Sequence, residues 1–359
     1  MTAMDGLEDA ASDALPRPKL TYPCGDPPGA GGVKAVAPGV YWLRMPLPFA
    51  LEWINLWLIE DGPGFAIVDT GVATEQTREH WRAVFADVMG GRPVTRVICT
   101  HMHPDHIGLA GWITRKFDCR LWISRLEYIT CRMLAADTGR EAPEDGVNFF
   151  RAAGWDEDSL DSYRVRFGGF GKMVSRLPDS YRRLEDGETI DIGGRPWRII
   201  SGNGHSPEHI CLWQRDLNVF ISGDQVLPRI SSNVSVFPTE PDGDPLADWL
   251  SSCAKLRDAI DGDPLVLPAH NEPFVGIHAR LTHLIVGHER ALTRLHKRLS
   301  QEERRVVDLF GALFARPIGK DLLNMASGET IAHLNCLIQR GLVARTRGPD
   351  GVDRYRAVA

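Results

Sequence analysis

The sequence has 359 residues, of which 43% are hydrophobic and 25% charged, and its formal net charge is −6. This length and composition are typical of a globular protein with one large domain and a small appendage. The net negative charge gives no electrostatic reason to expect the protein as a whole to bind nucleic acid or a membrane. No apolar run is long enough to cross a bilayer.

The first segment, residues 1–35, is predicted to be a disordered or extended lead-in. Its opening mixes acidic and small residues and lacks the basic start and apolar core of a signal peptide. The seven cysteines are scattered without short paired spacings. An odd number of thiols without an export signal indicates a reducing compartment. We therefore expect a cytoplasmic protein whose cysteines are mostly packing residues.

Short strands separated by turns are predicted in the first half of the chain. β-Branched and aromatic residues indicate strands over residues 40–45, 54–59 and 65–69. Apolar residues at helical spacing predict a helix over 74–89, and residues 96–99 are predicted to be a buried strand.

A second group of strands with flanking helices is predicted further along. The predicted strands are 189–192, 197–201, 210–213, 219–222 and 265–268, and the predicted helices are 245–260 and 277–299. Two sets of strands with helices at both ends predict an α/β fold, a sandwich of two sheets covered by helices. We expect this main domain to span residues 36–295.

Two further segments interrupt or follow this domain. A long insertion, about residues 126–184, carries helix-like pieces and is predicted to act as a lid. Residues 300–359 are predicted to form a separate C-terminal unit. Its expected elements are helices over 302–314 and 329–339 and a hairpin of strands 342–347 and 353–358. Helices followed by a hairpin predict a small winged-helix-like domain.

One short segment at a strand end concentrates metal-binding side chains. Its candidate ligands are His101, His103, Asp105 and His106. His101 and His103 are two residues apart, so they share a face of an extended backbone. Asp105 and His106 come where the chain should turn into a helix and can point to a second position. The segment can therefore seed two adjacent metal sites.

Three later segments supply the remaining ligands. His205, Asp224 and His270 each follow a predicted strand. The resulting five histidines and two aspartates are enough for two four- or five-coordinate ions that keep open positions for water. His209 shares a loop with His205 and is expected to be structural.

The motifs HxHxDH, GHSPxH, a Gly-Asp after a strand and a late histidine occur in this order. Over roughly residues 36–290 the sequence thereby resembles the metallo-β-lactamase superfamily, which implies the αββα sandwich. The resemblance implies that His101, His103 and His205 hold one metal ion, that Asp105, His106 and His270 hold a second, and that Asp224 bridges both. Asp69 matches the superfamily's early DTG motif, whose aspartate supports the metal ligands by hydrogen bonding.

The expected chemistry follows from two divalent cations. Imidazole and carboxylate suit zinc, with iron or manganese as alternatives. His103 stands where flavodiiron members of the superfamily have Glu, which argues against a redox role. Two cations roughly 3.5–4 Å apart lower the pKa of a shared water, so we expect a metal-bridging hydroxide to attack a carbonyl or phosphoryl centre. Asp105 or Asp224 could accept a proton as the intermediate collapses.

Asp224 also narrows the range of candidate substrates. The true β-lactamases of the superfamily generally lack this bridging Asp, whereas glyoxalase II-like thioesterases, lactonases and ribonucleases have it. Ribonucleases with a large inserted cleavage-factor domain are excluded, because no such insert follows Asp224. The favoured prediction is a hydrolase of a thioester, ester or lactone of a small molecule. No phosphate-binding loop or dinucleotide fingerprint is present, so no organic cofactor is expected.

Two segments bear on how a substrate would be held. Residues 162–183 contain six basic residues and one acid, which are either a solvated face or a cationic lid for an anionic acyl substrate. The glycines Gly168, Gly169 and Gly171 would let such a lid move. Earlier in the chain, Phe49, Leu51 and Trp53 either line an apolar acyl pocket or pack in the core.

The C-terminal unit keeps an alternative function open. Winged helices often bind nucleic acid, so the alternative is an endoribonuclease or another nucleic-acid-directed phosphodiesterase. From residue 300 onward nine basic residues accompany seven acids, and this excess of two is a weak electrostatic footprint. The unit could equally pack on the main domain or mediate a homodimer.

Overall fold

The computed structural model describes residues 17–48 and 51–358. Residues 1–16 of the predicted lead-in lie outside the described residues. The rest of that segment combines an extended stretch, in which Thr21 forms a β-bridge with Val275, with turns at residues 23–24 and 30–31, and the first strand begins at Val33.

Seven strands form the first sheet, and they follow one another in chain order. They are β1 (Val33–Ala37), β2 (Val40–Pro46), β3 (Trp53–Asp61), β4 (Gly64–Val68), β5 (Val94–Ile98), β6 (Arg120–Ile123) and β7 (Arg182–Arg183). Strands β1 to β4 pair antiparallel, and β4 to β7 pair parallel. Because parallel strands end at the same edge of a sheet, the residues that follow β4 and β5 are brought together.

Five strands form the second sheet, in the order β12-β11-β10-β9-β8. They are β8 (Thr189–Ile192), β9 (Arg195–Gly202), β10 (His209–Gln214), β11 (Val219–Gly223) and β12 (Leu265–Pro268). Each corresponds to a predicted strand, with ends that differ by at most two residues. Only β11 and β12 pair parallel in this sheet, so the segments after these two strands lie side by side.

Helices cover the outer faces of both sheets. They are α1 (Glu75–Ala83), α2 (Pro104–Ile107), α3 (Ala110–Phe117), α4 (Arg125–Ala136), α5 (Glu144–Ala152), α6 (Glu157–Arg166), α7 (Pro245–Ala259), α8 (Ile277–Leu299), α9 (Phe310–Leu313) and α10 (Leu323–Gln339). None of the helices within the described residues combines the length and apolar composition needed to span a membrane.

Three apolar clusters make the layers of the fold. The cluster between the sheets includes Trp57 of the first sheet and Trp197 of the second. A second cluster packs α1 and α3 on the first sheet, and a third packs α7 and α8 on the second. These layers form the predicted αββα sandwich. All seven cysteines are free thiols, and five of them are buried, in agreement with the expected packing role.

The C-terminal unit differs from its prediction in one helix. Instead of a helix over residues 302–314, the chain forms a 3-10 turn, Val306–Leu309, followed by the single helical turn of α9. Arg304 pairs with Tyr355 of the hairpin, which holds the preceding residues extended. The second predicted helix is present as α10 and starts six residues earlier than predicted. The predicted hairpin is present as β13 (Val343–Arg347) and β14 (Asp353–Ala357). The winged-helix comparison stays a prediction.

The insertion packs tightly where a hinge was expected. A Cβ atom on Gly171 would lie 2.0 Å from Thr138 Oγ1, and one on Gly168 would lie 2.4 Å from the Asp137 carbonyl oxygen. These two glycines therefore allow the chain to pass close to the end of α4. Several of the basic side chains have acidic partners nearby, as in the pairs Arg164–Asp161, Arg182–Glu188 and Arg183–Glu185. A lid function of this insertion stays a prediction.

The insertion and the C-terminal unit share one apolar cluster with α7 and α8. Phe150 of α5 and Trp155 lie in that cluster with Ile331 of α10. The Trp155 indole also donates a hydrogen bond to Ser327 Oγ of α10 at 2.8 Å. The two added segments are thus parts of the same packed body as the second sheet.

Candidate metal centre

Seven side chains predicted as metal ligands meet where the strands of both sheets end. The structure brings them together in two groups, which we call the first group (His101, His103, His205 and Asp224) and the second group (Asp105, His106 and His270). Within each group one ligand atom of every residue lies within 4.8 Å of the others. Each group could therefore hold a metal ion.

Asp224 stands between the two groups. Its Oδ2 lies 3.4 Å from His205 Nε2 of the first group. Its Oδ1 lies 3.6 Å from His106 Nε2 and 3.5 Å from His270 Nε2 of the second group. One carboxylate oxygen thus faces each group, which is the arrangement that a bridging ligand requires.

The donor atoms fit divalent cations in number and type, and those around Asp224 also fit in spacing. His106 Nε2, His205 Nε2 and Asp224 Oδ1 are buried and have no hydrogen-bond partner among the described residues. Leaving buried polar atoms unsatisfied is unfavourable, so such atoms in one place indicate a missing partner. Two atoms that each lie 2.0–2.1 Å from a tetrahedral zinc ion are roughly 3.4 Å apart. The distances from Asp224 to the histidines, 3.4–3.6 Å, agree with that spacing.

Residues of the first sheet orient the histidines of the second group. Asp69, directly after β4, has a φ of 62°, an uncommon conformation for a residue other than glycine. Its Oδ2 lies 2.8 Å from His106 Nδ1, and its carboxylate accepts the backbone N–H and hydroxyl of Thr100. His270 Nδ1 donates to the Trp53 carbonyl oxygen of β3 at 3.0 Å. Both imidazoles are thereby oriented with Nε2 toward Asp224.

The first group is oriented by residues that the sequence did not indicate. His205 Nδ1 donates to the Asn233 carbonyl oxygen at 2.8 Å. The carboxylate of Glu127, on α4, accepts hydrogen bonds from the chain next to the histidines of this group, at Met102 and Ser206. The only sequence signal for Glu127 is its place on the apolar face of α4, four residues before the buried Cys131.

His209 lies beside the two groups and outside both of them. Its Nε2 accepts the backbone N–H of Asp224 at 3.1 Å, and its ring stacks on His101 at a centroid distance of 4.8 Å. It therefore supports two of the candidate ligands, in agreement with the structural role expected from the sequence.

Burial and charge set the protonation of the two groups differently. Burial lowers the pKa of His101 well below its usual range and that of His103 to about 3, so both imidazoles are neutral. Burial disfavours the ionised form of Asp224, but the nearby His270 and His106 outweigh it and hold the pKa well below its ordinary value. Burial also lowers the pKa of His106, but the surrounding carboxylates outweigh this effect and raise it. His101 and His103 are thus in the neutral form that binds a divalent cation, whereas His106 would release a proton when a cation binds.

The segment between β2 and β3 borders the second group. Phe49 lies outside the described residues. Leu51 packs against the apolar cluster of the first sheet, and the Trp53 ring lies beneath the Arg44 guanidinium at 4.5 Å. An acyl pocket at this segment stays a prediction.

Comparison with known families agrees with this architecture. Residues 54–270 match the family described as "Metallo-beta-lactamase superfamily". Residues 292–358 match "Metallo-beta-lactamase-like, C-terminal domain", which corresponds to the C-terminal unit. The chain belongs to the metallo-β-lactamase superfamily.

Individual relatives align with most of the chain. A crystal structure of a beta-lactamase domain protein from Burkholderia ambifaria is 39% identical. It superposes with a TM-score of 0.85, and the alignment covers 97% of this chain and 100% of that one. The probable metallo-hydrolase YqjP of Bacillus subtilis is 23% identical over 82% of this chain and 91% of its own length. The acyl-coenzyme A thioesterase MBLAC2 of Gallus gallus is 25% identical over 67% of this chain and 80% of its own length.

Proposed function

We propose that this protein is a metal-dependent hydrolase with two divalent metal ions that cleaves the thioester bond of a small acyl substrate, with esters and lactones as related substrates. The observation that carries the proposal is the position of Asp224, whose two carboxylate oxygens face two separate groups of histidine and aspartate ligands. When bound, two such cations lower the pKa of a shared water molecule and polarise the substrate carbonyl. Zinc is the proposed metal, because imidazoles supply five of the seven ligands.

The chain's own residues would divide the work as follows. The first ion would be held by His101, His103 and His205, the second by Asp105, His106 and His270, and Asp224 would bridge them. Asp105 and Asp224 are the proposed proton acceptors, because each group contains one carboxylate, Asp224 in the first and Asp105 in the second. Asp69 keeps His106 oriented and is not proposed to contact the substrate.

The names of the relatives favour a thioester over other substrates. A named acyl-coenzyme A thioesterase aligns with two thirds of this chain, and the alignment spans most of that protein. An acyl-coenzyme A substrate is anionic, and the basic stretch at 162–183 is the candidate surface for it.

The nucleic-acid alternative is less favoured, because the basic side chains of the C-terminal unit are largely paired. Seven of its nine lysines and arginines have a carboxylate oxygen within 4.0 Å. Nucleic-acid binding depends on cations that are free to contact phosphates.

The test is thiol release from a panel of acyl-coenzyme A thioesters by zinc-loaded protein. The matched variants are Asp224→Asn and Asp61→Asn, which make the same change at a buried carboxylate inside and outside the centre. We expect turnover by the wild type and by Asp61→Asn, and a loss of at least about 1000-fold in Asp224→Asn, which removes a charge shared by both ions. Absence of turnover on every chain length would contradict the thioester assignment, and lactones and RNA would be tested next.

A further inference from the structure

The insertion reaches the metal centre through one buried carboxylate. Glu127 lies on α4 and its side chain is completely buried. One of its oxygens, Oε2, accepts the backbone N–H of Met102 at 2.9 Å. Met102 stands between His101 and His103, so this hydrogen bond fixes the backbone that carries two of the proposed ligands.

The other oxygen of Glu127 holds a second loop. Oε1 accepts the hydroxyl of Ser206 at 2.6 Å and the backbone N–H of Glu208 at 2.7 Å. Ser206 directly follows His205, the third proposed ligand of the first ion. A single carboxylate therefore joins the two loops that supply all three histidines of the first group.

The beginning of α4 adds two hydrogen bonds to the same loop, and in both of them Glu208 is the acceptor. Ser124 Oγ donates to the Glu208 carbonyl oxygen at 2.6 Å, and the backbone N–H of Leu126 donates to the Glu208 carboxylate at 2.8 Å. The loop after His205 is thus held to the beginning of α4 at four points, two of them on Glu127.

The three hydrogen bonds favour a carboxylate over an amide at this position. All three donors present hydrogens, so the group that faces them must accept with both of its oxygens. A glutamine would turn its NH₂ group toward Met102 or toward the pair of Ser206 and Glu208, whichever way the amide is rotated. Two donors would then face each other in a buried place, which is strongly unfavourable.

We propose that Glu127 is a positioning residue for the first metal ion, which fixes the distance between the His101–His103 loop and the His205 loop. The inference rests on the proposed binuclear centre and deepens it. No residue of the second group has a hydrogen bond to Glu127 among the described residues, so we expect its replacement to weaken the first ion much more than the second.

The experiment measures zinc affinity by competition with a chromophoric chelator, so that it does not depend on the substrate. Glu127→Gln is made in two backgrounds: His270→Ala, which leaves the first group complete, and His205→Ala, which leaves the second group complete. We expect an affinity loss of about 10–100-fold in the His270→Ala background, as when the hydrogen-bond partner of a metal ligand is removed. In the His205→Ala background we expect a change of less than about twofold.

Asp61→Asn is the matched control. Asp61 is also a buried carboxylate that accepts a hydroxyl, from Thr95, and a backbone N–H, from Gly193, but it lies away from the centre. It should lower the melting temperature without changing zinc affinity in either background. Equal zinc affinity of Glu127→Gln and its parent, or equal losses in both backgrounds, would overturn the proposal. Failure of the wild type to bind two zinc ions would contradict the proposed function instead.

Ser206→Ala keeps the test decisive where Glu127→Gln does not fold. This variant removes one donor to Glu127 and leaves no new unpaired donor behind. It should weaken the binding of the first ion by about threefold to tenfold, the net effect of one typical intramolecular hydrogen bond. An unchanged affinity for the first ion in folded Ser206→Ala would then overturn the proposal.

Discussion

The two halves of the metal centre are supported by different parts of the molecule. The histidines of the second group are oriented by Asp69 and by the Trp53 carbonyl, both at the edge of the first sheet. The first group is supported by Glu127 of the insertion and by Asn233, whose side chain contacts the C-terminal unit. The contacts that orient the second group thus come from the sandwich, whereas the first group is also contacted by the insertion and, through Asn233, by the C-terminal unit.

The contact with the C-terminal unit runs through Asn233. Its carbonyl oxygen accepts the hydrogen bond from His205 Nδ1. Its side-chain amide donates to Glu329 Oε2 of α10 at 2.7 Å and accepts from Ser235 Oγ at 2.6 Å. Helix α10 thus backs the loop that orients one of the proposed ligands.

Loss of a ligand from either half should have the largest effect. His205→Ala and His270→Ala each remove one imidazole from one group, and each is expected to reduce the zinc content by about one ion per chain. Elemental analysis of the purified variants would measure this. Loss of both ions in either variant would show that the halves are not separable, and the comparison would then be wrong.

Loss of Asp69 should weaken the binding of the second ion more than that of the first. Asp69→Asn replaces the acceptor of His106 Nδ1 by an amide, and we expect about a 10–100-fold lower affinity for that ion. Zinc titration in a His205→Ala background checks this, with Asp61→Asn as the control at another buried aspartate. An equal loss in the His270→Ala background would contradict the division of roles.

Acidification should lower the stability of the protein through two buried histidines on α8 and α10. Burial lowers the pKa of His288 on α8 to about 3 and that of His333 on α10 to about 4, and each neighbours the other. Because the folded-state pKa lies below the unfolded value of 6.5, stability is fully present above 6.5 and is lost as the pH falls. At pH 5.5 each histidine should lower the free energy of unfolding by up to about 1.4 kcal/mol relative to neutral pH.

Urea denaturation of the zinc-free protein at pH 7.5 and 5.5 measures this loss. His288→Gln should reduce the difference between the two pH values, because the substituted side chain does not titrate. A difference that is equal in the variant and the wild type would assign the acid sensitivity to other groups.

Disruption of Glu329 should have the smallest effect on metal binding. Glu329→Gln changes a partner of the Asn233 side chain, which in turn affects His205 only through a backbone carbonyl. We expect a loss of about twofold to fivefold for the first ion and none for the second. The same chelator competition measures it. An effect as large as that of Glu127→Gln would show that α10 supports the first group as strongly as the insertion does.

The local motifs predicted most of the site, because the information lies in short segments at strand ends. His101 to His106 are close in sequence, and the other ligands also follow strands with clear alternation or apolar runs. Glu127 could not be found in this way, because its partners Met102 and Glu208 are 25 and 81 residues distant in the chain. Its acidic side chain on an apolar helix face became meaningful only when the fold supplied the donors.

Contacts between residues distant in the chain also explain why the predicted helix over 302–314 was wrong. Residues 302–314 have helical periodicity, but the Arg304–Tyr355 pairing between distant parts of the chain prevents a continuous helix. Glu329 was counted among the acids of the C-terminal unit, yet it is buried against Asn233. Long-range pairs of this kind are decided by packing and leave no periodic signal.

Every residue of α10 from 326 to 337 is buried, which has a consequence for the order of assembly during synthesis. The residues of the second group and their supports have all been made once the ribosome has passed His270. The helix that supports the first group through Asn233 is α10, and it is translated only near the end of the chain. In a nascent chain the residues of the second group are therefore complete before the helix that supports the first group has been made.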